Sequence, residues 1–309
     1  MKHKSVLLAE SIAGLAIKPT GIYVDGTLGR AGHSLAIVKQ LTTGHLYMFD
    51  KDIQAIKDSK AYLKEYQEKC TFIHSDFRVL VEQLNKCGVK RVDGIILDLG
   101  VSSPQFDDKE RGFSYRFDAR LDMRMNQSQE LSAYEVVNSY DFHNLVKILF
   151  EYGEEKNAKQ IARAIERQRL IKPIETTFEL VDCIKSALPQ KVLNKKGHPA
   201  KQVFQAIRIE VNDELAGLKE VLDSGIKMLK PGGRFCVITF HSLEDRIVKK
   251  AFEKVSKTEK VDKRIPLKEI EISQKEYQLV NKKPIIASDD ELESNHRAHS
   301  SKLRILQRR

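Results

Sequence analysis

Along the first hundred residues the hydrophobic pattern switches repeatedly between two periods. Short runs rich in β-branched and aromatic residues, Ile22–Val24, His45–Asp50, Thr71–Asp76 and Val92–Gly100, alternate with stretches in which apolar positions recur every three or four residues. Leu35, Ile37, Val38 and Leu41 make one such stretch, and Ile53, Ile56 and Leu63 another. The runs read as strands and the stretches as helices. Strand and helix repeated four times predict an α/β fold with an open parallel sheet, whose ligands sit at the carboxyl ends of the strands. The fourth run is apolar on both faces, which places it in the middle of the sheet.

The rhythm then stops for about a hundred residues. Asp107 to Asn126 is charged and irregular, and helical periods follow over Tyr134–Phe150, Gly153–Leu170 and Thr177–Leu188. This is an inserted helical subdomain, and it predicts three segments: 1–105, 106–211 and 212–309. After it come a helix over Asn212–Leu229, a turn at Pro231-Gly-Gly233, a fifth strand over Arg234–Phe240 and a helix to about Val255. Lys257 to Lys275 reads as a basic excursion, Ala287 to Ser301 as a polar loop, and Leu279–Ile286 and Leu303–Gln307 as two last strands. The opening Ser5–Glu10 either packs over the first strand's turn or starts a helix.

That turn is the chemical centre of the chain. The first strand ends in Asp25 and breaks into Gly26, Gly29 and Gly32 before the helix begins. Glycines there let a ligand approach the backbone closely. The spacing is not the G-x-G-x-x-G of dinucleotide folds, and an acid inside the loop repels a pyrophosphate. Asp25 suits an ammonium group instead, which points to the amino-acid end of S-adenosylmethionine; the competing reading is an ordinary glycine-rich turn. Asp50, at the end of the second strand, stands where such folds hold ribose hydroxyls, while Asp52 is better placed to cap the next helix. Asp76-Phe77 stands where they meet an adenine.

Composition narrows the rest. Hydrophobic residues make up 41% and charged ones 31% of 309, and no run approaches the roughly 20 apolar residues that cross a bilayer. With no long apolar stretch near Met1, a cytoplasmic protein with no membrane partner is expected. Cys70, Cys87, Cys183 and Cys236 are scattered and read as core thiols. His296 and His299 lack an evident third ligand, so no metal is expected.

The net charge is +10, and Arg246–Arg309 hold 17 Lys/Arg against 10 Asp/Glu. Lys156, Lys159, Arg163 and Arg167 step by three and four along one helical face, opposite Ala158, Ile161, Ala162 and Ile165. A second basic patch, Lys191–Lys201, includes Lys195 and Lys196 in a loop. Each residue alone fits a solvated face partly balanced by Glu155 and Glu166; together they favour a nucleic-acid surface.

An ordered set of motifs spans the chain: His3-Lys-Ser-Val-Leu-Leu-Ala-Glu10, Asp25-Gly-Thr-Leu-Gly-Arg-Ala-Gly-His-Ser34, Leu97-Asp-Leu-Gly-Val-Ser-Ser-Pro-Gln105 and Arg111-Gly-Phe-Ser-Tyr115. Leu121-Asp-Met-Arg-Met125, His198-Pro-Ala200, Phe204–Ile209, Val211-Asn212 and Phe240-His-Ser-Leu-Glu-Asp-Arg246 complete it. In this the chain resembles the bacterial small-subunit ribosomal RNA methyltransferase H family, also called MraW. The resemblance implies a Rossmann-like, mostly parallel seven-stranded sheet and methylation of N4 of a cytidine in the decoding region of 16S rRNA, with S-adenosylmethionine as cofactor and the assembled small subunit as partner. It carries cofactor contacts over to Ala31, Gly32, His33, Asp50, Phe77, Asp98 and Gln105. Ala31 stands where the family's glycine is usual, which a methyl tolerates if the backbone angle is ordinary. Arg297 lies in a terminal Asn-x-Arg-Ala-x pattern whose last arginine is here His299, and joins the RNA candidates.

Cytosine's exocyclic amine is a poor nucleophile, so a site must align it and accept its proton as charge builds on nitrogen. The loop after the fourth strand lacks the Asp/Asn-Pro-Pro-aromatic sequence common in amine methyltransferases. Asp98, with Ser102 or Ser103, is the candidate acceptor, and a cofactor-only role for Asp98 is the alternative. His241 either contacts the target base or caps the helix after it. Phe113, Tyr115 and Arg116 either hold the base or, for the two aromatics, pack in a core. Methyl transfer to another polymer and non-catalytic RNA binding are the rival functions; oligomeric state is not legible.

Overall fold

The computed structural model describes residues 5–101, 106, 108–257 and 275–309. The chain divides into two compact units, one of residues 1–100 with 215–309 and one of residues 101–214.

The first unit is built on a seven-stranded sheet. Its strands are β1 (Ile22–Asp25), β2 (His45–Asp50), β3 (Cys70–His74), β4 (Val92–Asp98), β5 (Leu229–Thr239), β6 (Tyr277–Leu279) and β7 (Lys302–Arg308). They lie in the order β3-β2-β1-β4-β5-β7-β6. The first five pair in parallel and β7 runs antiparallel to β5 and β6. This is the mostly parallel sheet implied by the resemblance. β4 is central, as its two apolar faces required, and all but its last residue are buried.

Two apolar layers cover the sheet. One face carries Val24, Phe49, Ile95, Leu97, Phe235 and Val237 against Leu218, Leu222, Val248 and Phe252. The other carries Tyr23, Met48, Ile96, Cys236 and Ile305 against Leu15, Ile37 and Val38. Alternate residues of each strand thus serve opposite layers, the signature of a doubly covered sheet. In β5 the partner of β4 jumps from Leu229 opposite Val92 to Arg234 opposite Gly94. The expected Pro231-Gly-Gly233 turn is therefore a bulge inside one strand, with Gly232 at φ +78°.

Residues 101–214 form a helical unit with a separate core around Leu145, Leu149, Ile161, Ile165, Leu180, Ile184, Val203 and Ile207. Ser132 with Glu135, and Thr176 with Glu179, make capping boxes that start the helices Ala133–Ser139 and Thr177–Ala187. Three expectations are corrected here. The helix expected over Tyr134–Phe150 is two, because Asp141 accepts from the Asn144 N–H and starts a new one, Phe142–Glu151. The third helix begins at Ala158, not Gly153, so Lys156 lies before it. In the Lys191–Lys201 patch, Gln190–Leu193 is a helical turn and Lys201 opens a helix to Asn212, so only the middle is a loop.

Smaller differences follow the same logic. Asp213, at φ +48°, separates that helix from Glu214–Gly225, so the amphipathic run starts two residues late. Strand β6 stops at Leu279, and Ile285 makes only an isolated bridge to Leu303. Among the cysteines Cys183 and Cys236 are buried, but Cys87 is exposed and is no core thiol. No helix among the described residues is long and apolar enough to cross a membrane.

Candidate active site

Strand order reverses between β1 and β4, and the crevice at their carboxyl ends is where an open α/β sheet takes its ligand. The glycine turn fills that position. Gly26 N–H donates to Ile96 O at 2.9 Å, Leu28 N–H to Phe49 O at 2.9 Å and Gly29 N–H to Asp50 Oδ2 at 2.9 Å, so the loop is stitched onto β4 and β2. A Cβ on Gly26 would stand 2.4 Å from Leu97 Cδ2, and one on Gly32 would stand 1.9 Å from Ser5 Oγ. Both glycines are there for close approach.

Ala31 departs from expectation. Its φ is +57°, in the left-handed region where a methyl is strained, so the ordinary angle that would excuse it is absent. It is fully buried, and its carbonyl accepts from Leu35 N–H at 2.8 Å.

Three carboxylates converge at the strand ends. Asp25, 2% exposed, accepts from Ser34 Oγ at 2.7 Å and Thr27 N–H at 3.0 Å, so it braces its own loop. Burial raises it to about 6, against the pull of those hydrogen bonds. Asp50 accepts from the Gly29 and Asp52 N–H groups, and burial raises it too to about 6. The cap of the next helix is Asp52, as expected.

Asp98 is the most perturbed. Its N–H donates to Thr27 Oγ1 at 2.6 Å, which pins the end of β4 to the loop, and its Oδ1 is buried without a hydrogen-bond partner among the described residues. Burial first, then the charges of Asp25 and Glu244, push its carboxyl up to about 8, and Arg297 opposes them. Oδ2 lies 3.7 Å from Nδ1 of His33, whose Nε2 donates to the Val6 carbonyl at 3.1 Å. Phe77 flanks the turn, its Cβ 3.4 Å from where a Cβ on Gly26 would stand, with the Lys51 ammonium 5.9 Å from its ring centre.

These residues fit a nucleoside with an ammonium-bearing tail. An orphaned buried carboxylate oxygen on Asp98 and the Asp50 carboxylate welcome hydroxyl and ammonium donors and repel phosphate. Ala31, Gly32, His33, Asp50, Phe77 and Asp98 line one end of the sheet, whereas Asp25 is turned inward. Gln105, Ser102 and Ser103, like the motif residues His3 and Lys4 and most of Lys257–Lys275, lie outside the described residues.

Two of the RNA candidates have partners in the first unit. His241 caps its helix, its Nδ1 accepting from Glu244 N–H at 3.5 Å and its Nε2 lying 3.2 Å from Glu244 Oε1, so the ring is committed to Ser242–Ser256. Arg297 belongs to the electrostatics of Asp98. In the helical unit Lys156, Lys159, Arg163, Arg167, Lys195 and Lys196 are all exposed. The acids expected to balance the helix face do not: Glu155 is buried and accepts from Asn157, and Glu166 pairs with Arg169 at 3.7 Å. Phe113 is a core residue, 4% exposed.

The sequence reading passed over Glu244, Glu291 and Thr27. Glu244, 2% exposed, accepts from the Phe240 and His241 N–H groups while raising Asp98. Glu291 accepts from Leu7 N–H at 2.9 Å and so ties the N-terminal helix Leu8–Leu15 to the last segment of the chain. Glu244 and Thr27 stood inside quoted motifs, but a one-dimensional pattern does not say which strand end a side chain faces.

A family profile described as the MraW methylase family matches residues 1–309. The ribosomal RNA small subunit methyltransferase H of Exiguobacterium sibiricum is 57% identical over 309 residues, 99% of this chain and 98% of that one. The protein of the same description from Limosilactobacillus fermentum is 54% identical over 308 residues, with the same coverage. Among solved structures, a SAM-dependent O-methyltransferase from Thermotoga maritima matches 100% of this chain and 68% of that one at 9% identity and a TM-score of 0.43, a likeness that carries no argument.

Proposed function

The chain belongs to the MraW methylase family, and from that premise we propose that it methylates N4 of a cytidine in the decoding region of 16S rRNA, using S-adenosylmethionine. The full-length match to relatives named as small-subunit rRNA methyltransferases supports the substrate class. The partner is the small ribosomal subunit, which places the protein in the cytoplasm. The single structural observation that carries the chemistry is the buried Oδ1 of Asp98 at the end of the central strand, which has no hydrogen-bond partner among the described residues.

Bound S-adenosylmethionine supplies a methyl group already activated on a sulfonium. Asp50 would hold its ribose hydroxyls, the backbone of Ala31 to His33 its tail, and Phe77 its adenine. Asp98 has the remaining task. Its Oδ1 accepts a hydrogen bond from the cytosine amine, holds the nitrogen in line and takes up the proton released as the new N–C bond forms. Burial and the charges of Asp25 and Glu244 make this carboxylate far more basic than an exposed one, which suits a proton acceptor near neutrality. His33, anchored on Val6, positions Oδ2 so that Oδ1 faces the amine. Ser102 or Ser103 assists.

The test is methyl transfer from labelled S-adenosylmethionine to small ribosomal subunits lacking the modification, with the product nucleoside identified by mass spectrometry. N4-methylated cytidine at one decoding-region position is the expected product. Methyl transfer to a different polymer overturns the substrate, and RNA binding without transfer makes the protein a non-catalytic assembly factor.

A further inference from the structure

In the helical unit the imidazole of His198 lies flat on the ring of Tyr115, with centroids 4.2 Å apart and planes 6° from parallel. Phe204, buried in the core, meets Tyr115 edge-on at 5.6 Å and 88°. Phe204 therefore fixes Tyr115, and Tyr115 fixes the imidazole; both outer rings are half-buried. The ring is also turned to one tautomer. Nδ1 of His198 accepts from Ala200 N–H at 3.3 Å, which leaves the proton of the neutral ring on Nε2 as a donor.

The surroundings are one-signed. Burial, then Lys185 and Arg116, hold the imidazole below its ordinary pKa, and no carboxylate figures among those influences. Neither cation forms an ion pair among the described residues. Lys195 and Lys196, exposed in the loop that leads to His198, extend the same sign. A neutral flat ring held rigid inside an uncompensated positive field has two complements. A π-face suits a nucleobase, and the field suits a phosphate.

We propose that Tyr115, His198, Arg116 and Lys185 form a platform on which an unpaired base of a single-stranded RNA stacks, with its phosphate held by the two cations. The proposal rests on the rRNA reading above and adds a contact class to it: stacking of a splayed base on a preformed ring pair, the mode by which proteins read single-stranded RNA. Duplex RNA, whose bases are not free to stack, is a poor occupant.

The test uses the full chain and a short single-stranded oligoribonucleotide carrying 2-aminopurine, whose fluorescence falls when the base stacks. The wild-type protein quenches it, and the same sequence as a duplex is not quenched. His198→Leu, which keeps apolar cover on Tyr115 but removes the ring, weakens binding about ten- to hundredfold and abolishes quenching, in the range of a lost base stack. Arg116→Gln with Lys185→Gln leaves quenching at saturation intact but lowers the slope of log affinity against log salt by about 0.7, the value for one phosphate neutralised on a single strand. S-adenosylmethionine affinity is unchanged in both variants, which separates the effect from misfolding. Should His198→Leu fail to fold, the charge variant carries the test alone. Unchanged affinity and quenching in His198→Leu, or an unchanged salt slope in the charge variant, overturns the platform. A wild-type protein that binds neither this probe nor small ribosomal subunits overturns the rRNA reading as well, and the two failures are thereby told apart.

Discussion

The two units of this chain use charge in opposite ways. At the strand ends of the first, three acids are gathered; burial leaves Asp25 at about 6, and burial with repulsion from neighbouring acids leaves Asp50 at about 6 and Asp98 at about 8. On the second, cations stand exposed along the helix Ala158–Ile171 and the loop before His198, with the nearest acids turned to other partners. Buried acids cost stability and hold a small set of donors in one geometry. Exposed cations cost little and take a polymer by releasing its counterions. The first arrangement suits chemistry on one atom, and the second suits grip on an extended polyanion.

The contrast breaks most sharply at Asp98. Asp98→Asn keeps the shape and loses the proposed proton acceptor, so single-turnover methylation is expected to fall about a hundred- to thousandfold, within the range for general acid–base groups. RNA affinity stays the same. Normal turnover by this variant would leave Asp98 as a cofactor ligand only. In the wild-type enzyme kcat/KM, which reports the free protein, rises with pH toward about 8, since only the carboxylate accepts a proton.

The opposite side is tested by charge removal in the helical unit. Replacing Lys159, Arg163 and Arg167 with glutamine weakens binding to small ribosomal subunits about tenfold and lowers the salt slope by about 2. Cofactor affinity does not change. Arg163 also covers the Phe142 ring, with its guanidinium carbon 5.9 Å from the centroid, so Arg163→Gln alone lowers the melting temperature slightly. A triple variant with wild-type salt dependence would mean that this face is merely solvated.

How far the sequence revealed each unit follows from the same contrast. The sheet was legible because strands report themselves through short apolar runs and a period of two, and β4 announced its central place by being apolar on both faces. The glycine turn was legible because positions that need close approach exclude side chains, as Gly26 and Gly32 do. The helical unit was legible only as helices. Its boundaries depended on caps such as Asp141, whose side chain competes with the helix before it. Least legible were long-range pairings. That Glu244 and Arg297 act on Asp98 across nearly 150 and 200 residues is a property of strand order, which hydrophobic period does not encode.

A third test concerns the cost of the acidic cluster. Asp25, Asp50 and Asp98 all bind protons more tightly folded than unfolded. Their contribution is therefore fully present below the ordinary carboxylate range and lost as pH rises through about 6 and then about 8. The ligand-free protein loses on the order of 5 kcal/mol between pH 5 and pH 8.5 on this account, most of it at Asp98, readable as a falling melting temperature. Asp98→Asn flattens the upper part of that fall and is more stable than wild type at pH 8.5 while being the least active. A melting temperature that rises over this window would deny that the acids are buried against one another.

The smallest expected effect lies in the turn itself. Ala31 holds φ at +57° with its methyl fully buried. Glycine adopts that conformation freely, so Ala31→Gly relieves about 1 kcal/mol of strain, while the more flexible unfolded chain takes back about half of it or more. The net change is a stabilisation below about 0.5 kcal/mol, a shift of a degree or two by calorimetry. Cofactor affinity is the sharper readout, because Gly29 on the same loop also sits at positive φ, +47°, and donates to Asp50. If strain at Ala31 holds the loop open for its ligand, Ala31→Gly stabilises the protein but weakens S-adenosylmethionine binding. If the strain is idle, stability rises and affinity stays, and the methyl is then an accident of sequence tolerated by a well-buried turn.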